Sequence, residues 1–270
     1  MVAMKTVRFD LYDEYALVKG DGKDGALTAF LHEDGVARPA MIIIPGGGYT
    51  FLAYDKCLPV VEPYFKMGFN CFMLSYSLAP NAYPVQLAEA VMAVDLIRTR
   101  AKELGVDGES IAVIGFSAGG HLAASLATIG CDKRVEEYVG SGLNAAHRTS
   151  ILIYPVISME EDVQHTESAQ NVSGGDDEIK QYLSVEKHVN ATTPPTFVAH
   201  AITDEVVSSM NSLRYAEALS RAGVRFELHV FPAGKHGMVF PEMKDYASRR
   251  WSEWLDLTMK FLQGQGYKME

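Results

Sequence analysis

Ser117 lies in Gly115-Phe116-Ser117-Ala118-Gly119-Gly120, with a glycine two positions away on each side. The β-branched run Ile111-Ala112-Val113-Ile114 precedes it, and an apolar helical pattern over 122–129 follows. A serine at a strand-to-helix turn of this kind is a candidate nucleophile, because the glycines let the backbone turn where a side chain would collide. Its hydroxyl then stands at the positive end of a helix. A hydroxyl nucleophile also needs a base to take its proton, a partner to orient that base, and donors for the developing oxyanion. The rest of the chain must supply all three.

Oxyanion donors are expected from the amide of Ala118 and from Gly47 and Gly48, in Pro45-Gly46-Gly47-Gly48-Tyr49 directly after Met41-Ile42-Ile43-Ile44. Three successive glycines cost backbone entropy and make sense where main-chain N–H groups must approach a substrate closely. The loop does not read as a phosphate cradle: it lacks the third glycine of a dinucleotide fingerprint, and no Gly-Lys-Ser/Thr follows. Of eight histidines, His236 is the candidate base, in a loop after the last strand-like run and before the last helical one. His121 competes, but four residues beyond Ser117 on a helix carries it one turn into the body, so a supporting or packing role is expected. His200 and His229 fall inside strand-like runs and are expected in the core or on the surface. An acid in the loop directly after a strand-like run, here 196–201, and ahead of the histidine in the chain is a candidate to orient it. Asp204, in Thr203-Asp204-Glu205-Val206-Val207, is so placed, with Glu205 as nearest rival and helix capping as the alternative role for the aspartate. The order Ser117, Asp204, His236 follows.

A sheet must position these residues. Short β-rich runs alternate with longer helical patterns, which gives a mostly parallel sheet covered by helices. Strands are expected at 6–11, 26–32, 41–44, 71–76, 111–114, 151–154, 196–201 and 226–231. The first two should pair antiparallel, since 12–25 holds turn residues and no crossover helix. Helices are expected at 57–67, 85–104, 118–129, 208–222 and 242–263. In the second of these, Ala88, Val91, Val94, Ile97, Ala101 and Leu104 recur at three- and four-residue steps, with Pro84 ahead and Gly105 as the stop. Residues 158–193 break the alternation with acidic side chains, a Ser173-Gly174-Gly175 turn and Pro194-Pro195 at the exit. They read as a small cap or loop insertion between strands six and seven of one α/β domain covering 1–270.

Composition narrows the function. The 270 residues are 48% hydrophobic and 21% charged, with a net charge of −10 and no lysine/arginine cluster. Nucleic acid and anionic membrane are therefore unexpected partners. Three widely spaced cysteines, Cys57, Cys71 and Cys131, suit free thiols, and no zinc spacing appears. No metal or cofactor is expected. Without an apolar signal core at the start or an eighteen-residue apolar run, the chain reads as cytoplasmic. Its oligomeric state is not set by the sequence, and a homodimer stays open.

The motifs Pro45-Gly46-Gly47-Gly48-Tyr49, Tyr76-Ser77-Leu78-Ala79-Pro80, Gly115-Phe116-Ser117-Ala118-Gly119-Gly120-His121 and His236-Gly237 together span about 41–238. In this combination the chain resembles the α/β-hydrolase esterases of the hormone-sensitive-lipase and carbohydrate-esterase neighbourhood. The wording around Ser117 is similar to that of bacterial acetyl-xylan-esterase-like and feruloyl-esterase-like hydrolases. Two residues depart from the pattern: Pro45 stands where many relatives have histidine, and Ser77 where the lipase branch usually has arginine. The resemblance implies an eight-stranded α/β-hydrolase sheet and a serine carboxylesterase, with acyl transfer to Ser117 and then to water. A short acyl ester, acetyl on a sugar or xylo-oligosaccharide, is the expected small-molecule substrate. Tyr49, Tyr83 and Met238 are candidate substrate contacts, and Phe51 and Tyr54 are further aromatic faces for a sugar ring. The alternatives are an amide hydrolase of the arylformamidase or small-peptide type, and a non-catalytic binding protein on the same fold.

Overall fold

The computed structural model describes residues 4–17, 23–240, 242 and 244–268. Residues 1–3 at the chain start, 18–22 of the expected first turn and Met243 of the expected last helix lie outside these. The strands are β1 (Met4–Asp10), β2 (Ala26–His32), β3 (Arg38–Ile44), β4 (Asn70–Ser75), β5 (Val106–Phe116), β6 (Thr149–Ile153), β7 (Thr196–Ala201) and β8 (Phe226–Phe231). They form a single eight-stranded sheet in the order β1-β2-β4-β3-β5-β6-β7-β8. β1 runs antiparallel to β2 and β2 to β4, and every later pairing is parallel. The expected mostly parallel α/β architecture is the one found.

The central strands are apolar on both sides because both faces are covered. In β3, Ile42 and Ile44 pack into one core with Val91 and Leu122, while Met41 and Ile43 pack into a second core with Tyr64 and Trp254. Helices Val85–Thr99 and Ala118–Ile129 thus cover one face, and Val61–Lys66 and Tyr246–Gly264 the other. Val85–Thr99 is buried on nearly every side from Gln86 to Ile97, which explains why apolar residues surround its axis instead of forming a stripe.

Strand order also explains where a site can form. β3 and β5 are neighbours, yet the chain leaves β3 toward β4 and leaves β5 toward β6, on opposite sides. The crevice between two such diverging connections, at the carboxyl ends of the strands, is the natural binding place of an open α/β sheet. The glycine loop and Ser117 both lie there.

Several elements differ from expectation for local reasons. The 57–67 helix is split into Tyr54–Cys57, a 3₁₀ turn Leu58–Val60 and Val61–Lys66, since Pro59 and Pro63 each remove an amide donor. The 85–104 helix ends at Thr99, whose hydroxyl turns back to the carbonyls of Asp95 and Leu96. A helix over Lys133–Val139, capped by the Asp132 carboxylate on the Arg134 amide, lacks an apolar period long enough to announce it. Between β6 and β7 lie two short α-helices, Thr166–Ser173 and Asp177–Tyr182, and a 3₁₀ turn Val185–His188. This insertion is tied to the body: the Tyr83 amide donates to Val172 O at 2.8 Å, and the Tyr182 hydroxyl donates to Asp132. Among the described residues no helix is long and apolar enough to cross a membrane.

Candidate active site

Each functional side chain leaves the carboxyl end of a parallel strand. Ser117 follows β5, Asp204 lies three residues past β7, His236 follows β8, and Gly46 to Gly48 follow β3. Ser117 adopts φ 56°, ψ −119°, a conformation costing a non-glycine residue roughly 1–3 kcal/mol. Its surroundings hold it there. Its amide donates to Ile153 O at 3.1 Å, and its carbonyl accepts from the amides of His121 and Val156 at 3.1 Å each. A Cβ on Gly119 would lie 2.3 Å from both Ile44 O and Pro45 O, so only glycine lets the helix after Ser117 close on the β3 loop.

The three side chains meet in one line. The Ser117 hydroxyl donates to His236 Nε2 at 2.8 Å, and His236 Nδ1–H donates to Asp204 Oδ2 at 2.7 Å. Because an ionised carboxylate only accepts, it fixes the imidazole tautomer and leaves Nε2 free to take the serine proton. The side chain of Asp204 is almost fully buried. Burial alone would raise its carboxyl, but hydrogen bonds from His200 and His236, the charge of His236 and the Val207 amide outweigh this and hold it well below the usual carboxylate range. Its Oδ1 accepts from the amides of Val206 and Val207 at 3.0 Å each.

The loop after β3 is shaped by its own turn. Gly47 carbonyl accepts from the Thr50 and Phe51 amides at 3.0 and 3.1 Å, and Gly46 carbonyl accepts from Ala53 at 2.9 Å. With the carbonyls so engaged, the amides of Gly47, Gly48 and Ala118 have no acceptor among the described residues. They are the groups available to an oxyanion. Gly47 sits at φ 130°, and a Cβ there would lie 1.8 Å from Phe51 O. A cleft of about 170 Å³ opens between this loop and His236, walled by Phe51, Phe116, Tyr154 and Val239. Among the described residues no group of three or more His, Cys, Asp or Glu side chains is placed to hold a metal ion.

Residues 30–219 match the family model described as BD-FAE, most of the chain. The chain belongs to the BD-FAE family. A solved acetyl ester-xyloside bifunctional hydrolase from Caldicellulosiruptor lactoaceticus is 32% identical with a TM-score of 0.83, covering 98% of this chain and 97% of its own. A carboxylesterase from Lactobacillus plantarum is 25% identical with a TM-score of 0.80, at 98% coverage of both chains. An acetylxylan esterase from Xylanibacter ruminicola is 28% identical over 89% of this chain and 49% of its own length. An endo-1,4-beta-xylanase B from Butyrivibrio fibrisolvens is 34% identical over 78% of this chain and 34% of its own. This BD-FAE chain thus spans a third to a half of those last two proteins.

Not every expected contact of the BD-FAE chain reaches the cleft. Tyr49 is fully buried: its hydroxyl donates to His121 Nδ1 at 2.8 Å, while His121 Nε2–H donates to Leu183 O at 2.9 Å. His121 therefore joins the glycine loop, the helix after Ser117 and the insertion. Burial lowers its pKa to about 4, so it is neutral. Tyr83 is buried against Asp132, which accepts from its hydroxyl at 2.6 Å. Met238 packs under the His236 loop, and its carbonyl accepts from the Trp251 indole at 2.5 Å. Tyr49 and Tyr83 are drawn into the body by partners distant in sequence, so neither lines the cleft, whereas the half-buried Met238 borders a neighbouring groove beside His236. Phe51 alone of the four aromatic candidates lines the cleft, more than half exposed.

Four supporting residues have no motif of their own. His200, fully buried on β7, places Nε2 3.3 Å from Asp204 Oδ2 and 3.0 Å from Val207 O, while the Ser212 hydroxyl donates to Nδ1 at 2.7 Å. Thr203 ties the acid loop to the base loop, donating to Gly234 O and accepting from Gly234 N at 3.0 Å each. Trp251 and Trp254, one helical turn apart, donate to the carbonyls of Met238 and Val239. The pair of tryptophans just beyond His236 was the available sequence clue.

Proposed function

We propose that the chain is a serine carboxylesterase acting on short acyl esters, with acetyl groups on sugars or xylo-oligosaccharides as the substrate class. The observation that carries this reading is His236 bridging Ser117 and Asp204 beside amides with no acceptor. Ser117 Oγ attacks the ester carbonyl as His236 Nε2 takes its proton. Charge on the carbonyl oxygen is then met by the amides of Gly47, Gly48 and Ala118, whose dipoles are oriented before reaction begins. His236 returns the proton to the leaving alcohol, and the same groups serve a water molecule that releases the acid. Asp204 holds the ring and stabilises it while it carries two protons. The small cleft and the polar wall of the insertion favour a short acyl group over a long chain. The printed activities of the Caldicellulosiruptor and Xylanibacter relatives support the acetyl and xylan side of the reading.

The test combines labelling with a substrate panel. A fluorophosphonate should label wild type at Ser117 and leave Ser117→Ala unlabelled. Turnover should be highest on acetate in a p-nitrophenyl ester series, and acetylated xylo-oligosaccharides should release acetate. A preference for acyl chains of eight or more carbons removes the short-acyl claim. Hydrolysis of N-formyl amides in place of esters moves the chain to the amide class.

A further inference from the structure

One wall of the cleft comes from the insertion and not from the sheet. It brings His165 and Glu167 to the cavity onto which Ser117 and His236 open. Glu167 is held from one side. Thr50 Oγ1–H donates to its Oε1 at 2.8 Å, and Asn171 Nδ2 donates both to Thr50 Oγ1 at 2.8 Å and to Gly48 O at 2.9 Å. The carboxylate is thus fixed to the same loop that carries the candidate oxyanion donors. Its Oε2 lies beside Gly48, 3.3 Å from where a Cβ would stand, and meets no donor among the described residues. An ionised carboxylate accepts at both oxygens and donates nothing.

His165 offers the complementary group. Its Nδ1 accepts from the Ser168 amide at 3.3 Å as it caps the Thr166–Ser173 helix. The neutral ring therefore carries its proton on Nε2, which is a donor. Burial lowers the pKa of this ring and favours the neutral form. Two residues apart, the wall presents an acceptor and a donor. A neutral hydroxyl is the group that can give to one and take from the other. An alkyl group against the same wall strips water from Glu167 and returns no hydrogen bond.

We propose that Glu167 and His165 form a subsite for the alcohol half of the ester, recognising free hydroxyls next to the ester oxygen. This rests on the esterase reading above but not on the alcohol being a sugar.

Glycerol monoacetate and propyl acetate share a three-carbon alcohol and an acetyl group, and differ by two hydroxyls. Wild type should prefer glycerol monoacetate in kcat/KM. In Glu167→Ala the ratio of the two kcat/KM values should fall about tenfold, chiefly through KM for glycerol monoacetate. Glu167→Gln, which keeps an acceptor for Thr50, should fall less. An equal loss on both esters overturns the subsite and leaves Glu167 as a loop support, as does a wild type with no preference. If the ratio falls as expected but acetylated xylo-oligosaccharides release nothing, the subsite stands and the carbohydrate substrate is withdrawn. Failure to hydrolyse either ester overturns the esterase reading, and the subsite with it.

Discussion

His200 is placed to govern the proposed triad without joining it. Val207 O and Asp204 Oδ2 can only accept, so the ring must carry its proton on Nε2 and share it between them. Asp204 Oδ2 then sits between two imidazole donors, His200 behind it and His236 in front. Losing a donor to a buried charge typically costs about 1.5–3 kcal/mol, or roughly 10- to 100-fold if it is felt in the transition state. His200→Phe keeps the ring and loses the donor, so kcat on p-nitrophenyl acetate should fall by that factor with KM little changed. His200→Gln restores an N–H and should recover most of kcat. A Phe variant more active than the Gln variant means that His200 packs and does not position. At the same scale, Asp204→Asn should be far more damaging than Glu205→Gln in steady-state turnover, because the carboxylate of Asp204 alone meets His236.

At the scale of elements, the site depends on two backbones approaching where no Cβ fits. The helix after Ser117 meets the β3 loop at Gly119, and the loop folds on itself at Gly47. Gly47→Ala forces the loop outward and moves at least one amide from its place. Turnover should fall roughly 100- to 1,000-fold, the typical loss for one oxyanion donor. Gly223→Ala is the control. It also has positive φ, 70°, but nothing lies within 4 Å of its Cβ position, so stability should drop slightly and turnover should not. Melting curves alongside kcat separate the two effects. Full turnover in Gly47→Ala would take that residue out of the site.

The molecule as a whole carries a buried acid outside the lining of the cleft. Glu89 is fully buried on Val85–Thr99 and accepts from the Tyr12 hydroxyl at 2.8 Å, the Ser77 amide at 2.6 Å and the Ser77 hydroxyl. Burial raises its pKa from 4.5 to about 7, although the Ser77 and Tyr12 hydrogen bonds oppose the shift. Between these two values the folded protein holds a proton that the unfolded chain has lost. Stability therefore falls as pH rises through this window and levels off above it. Glu89→Gln cannot ionise. Its stability relative to wild type should improve by about 2–3 kcal/mol between pH 5 and pH 8, measured by denaturant unfolding at each pH. A difference that does not change with pH would mean that Glu89 is ionised in the folded protein throughout this range.

By itself the sequence determined the architecture and the positions from which chemistry could come. Alternating strand and helix periods dictated a mostly parallel sheet, because apolar runs such as 111–114 and 196–201 need cover on both faces. Glycines around Ser117 and after β3 marked places where backbone must pass close to backbone, a demand that is local and so is written locally. Asp204 and His236 could be chosen by position because parallel strands deliver their following loops to one edge. What tertiary structure decided were the contacts between residues far apart in the chain. Whether Tyr49 faced the cleft depended on His121, 72 residues away, and whether His200 was core or support depended on a loop carboxylate folding back over it. Glu167 reached the cleft through Thr50, 117 positions earlier. Period and composition report which face of an element is buried. They do not report which neighbour waits there, and hydrogen-bond geometry is settled by that neighbour.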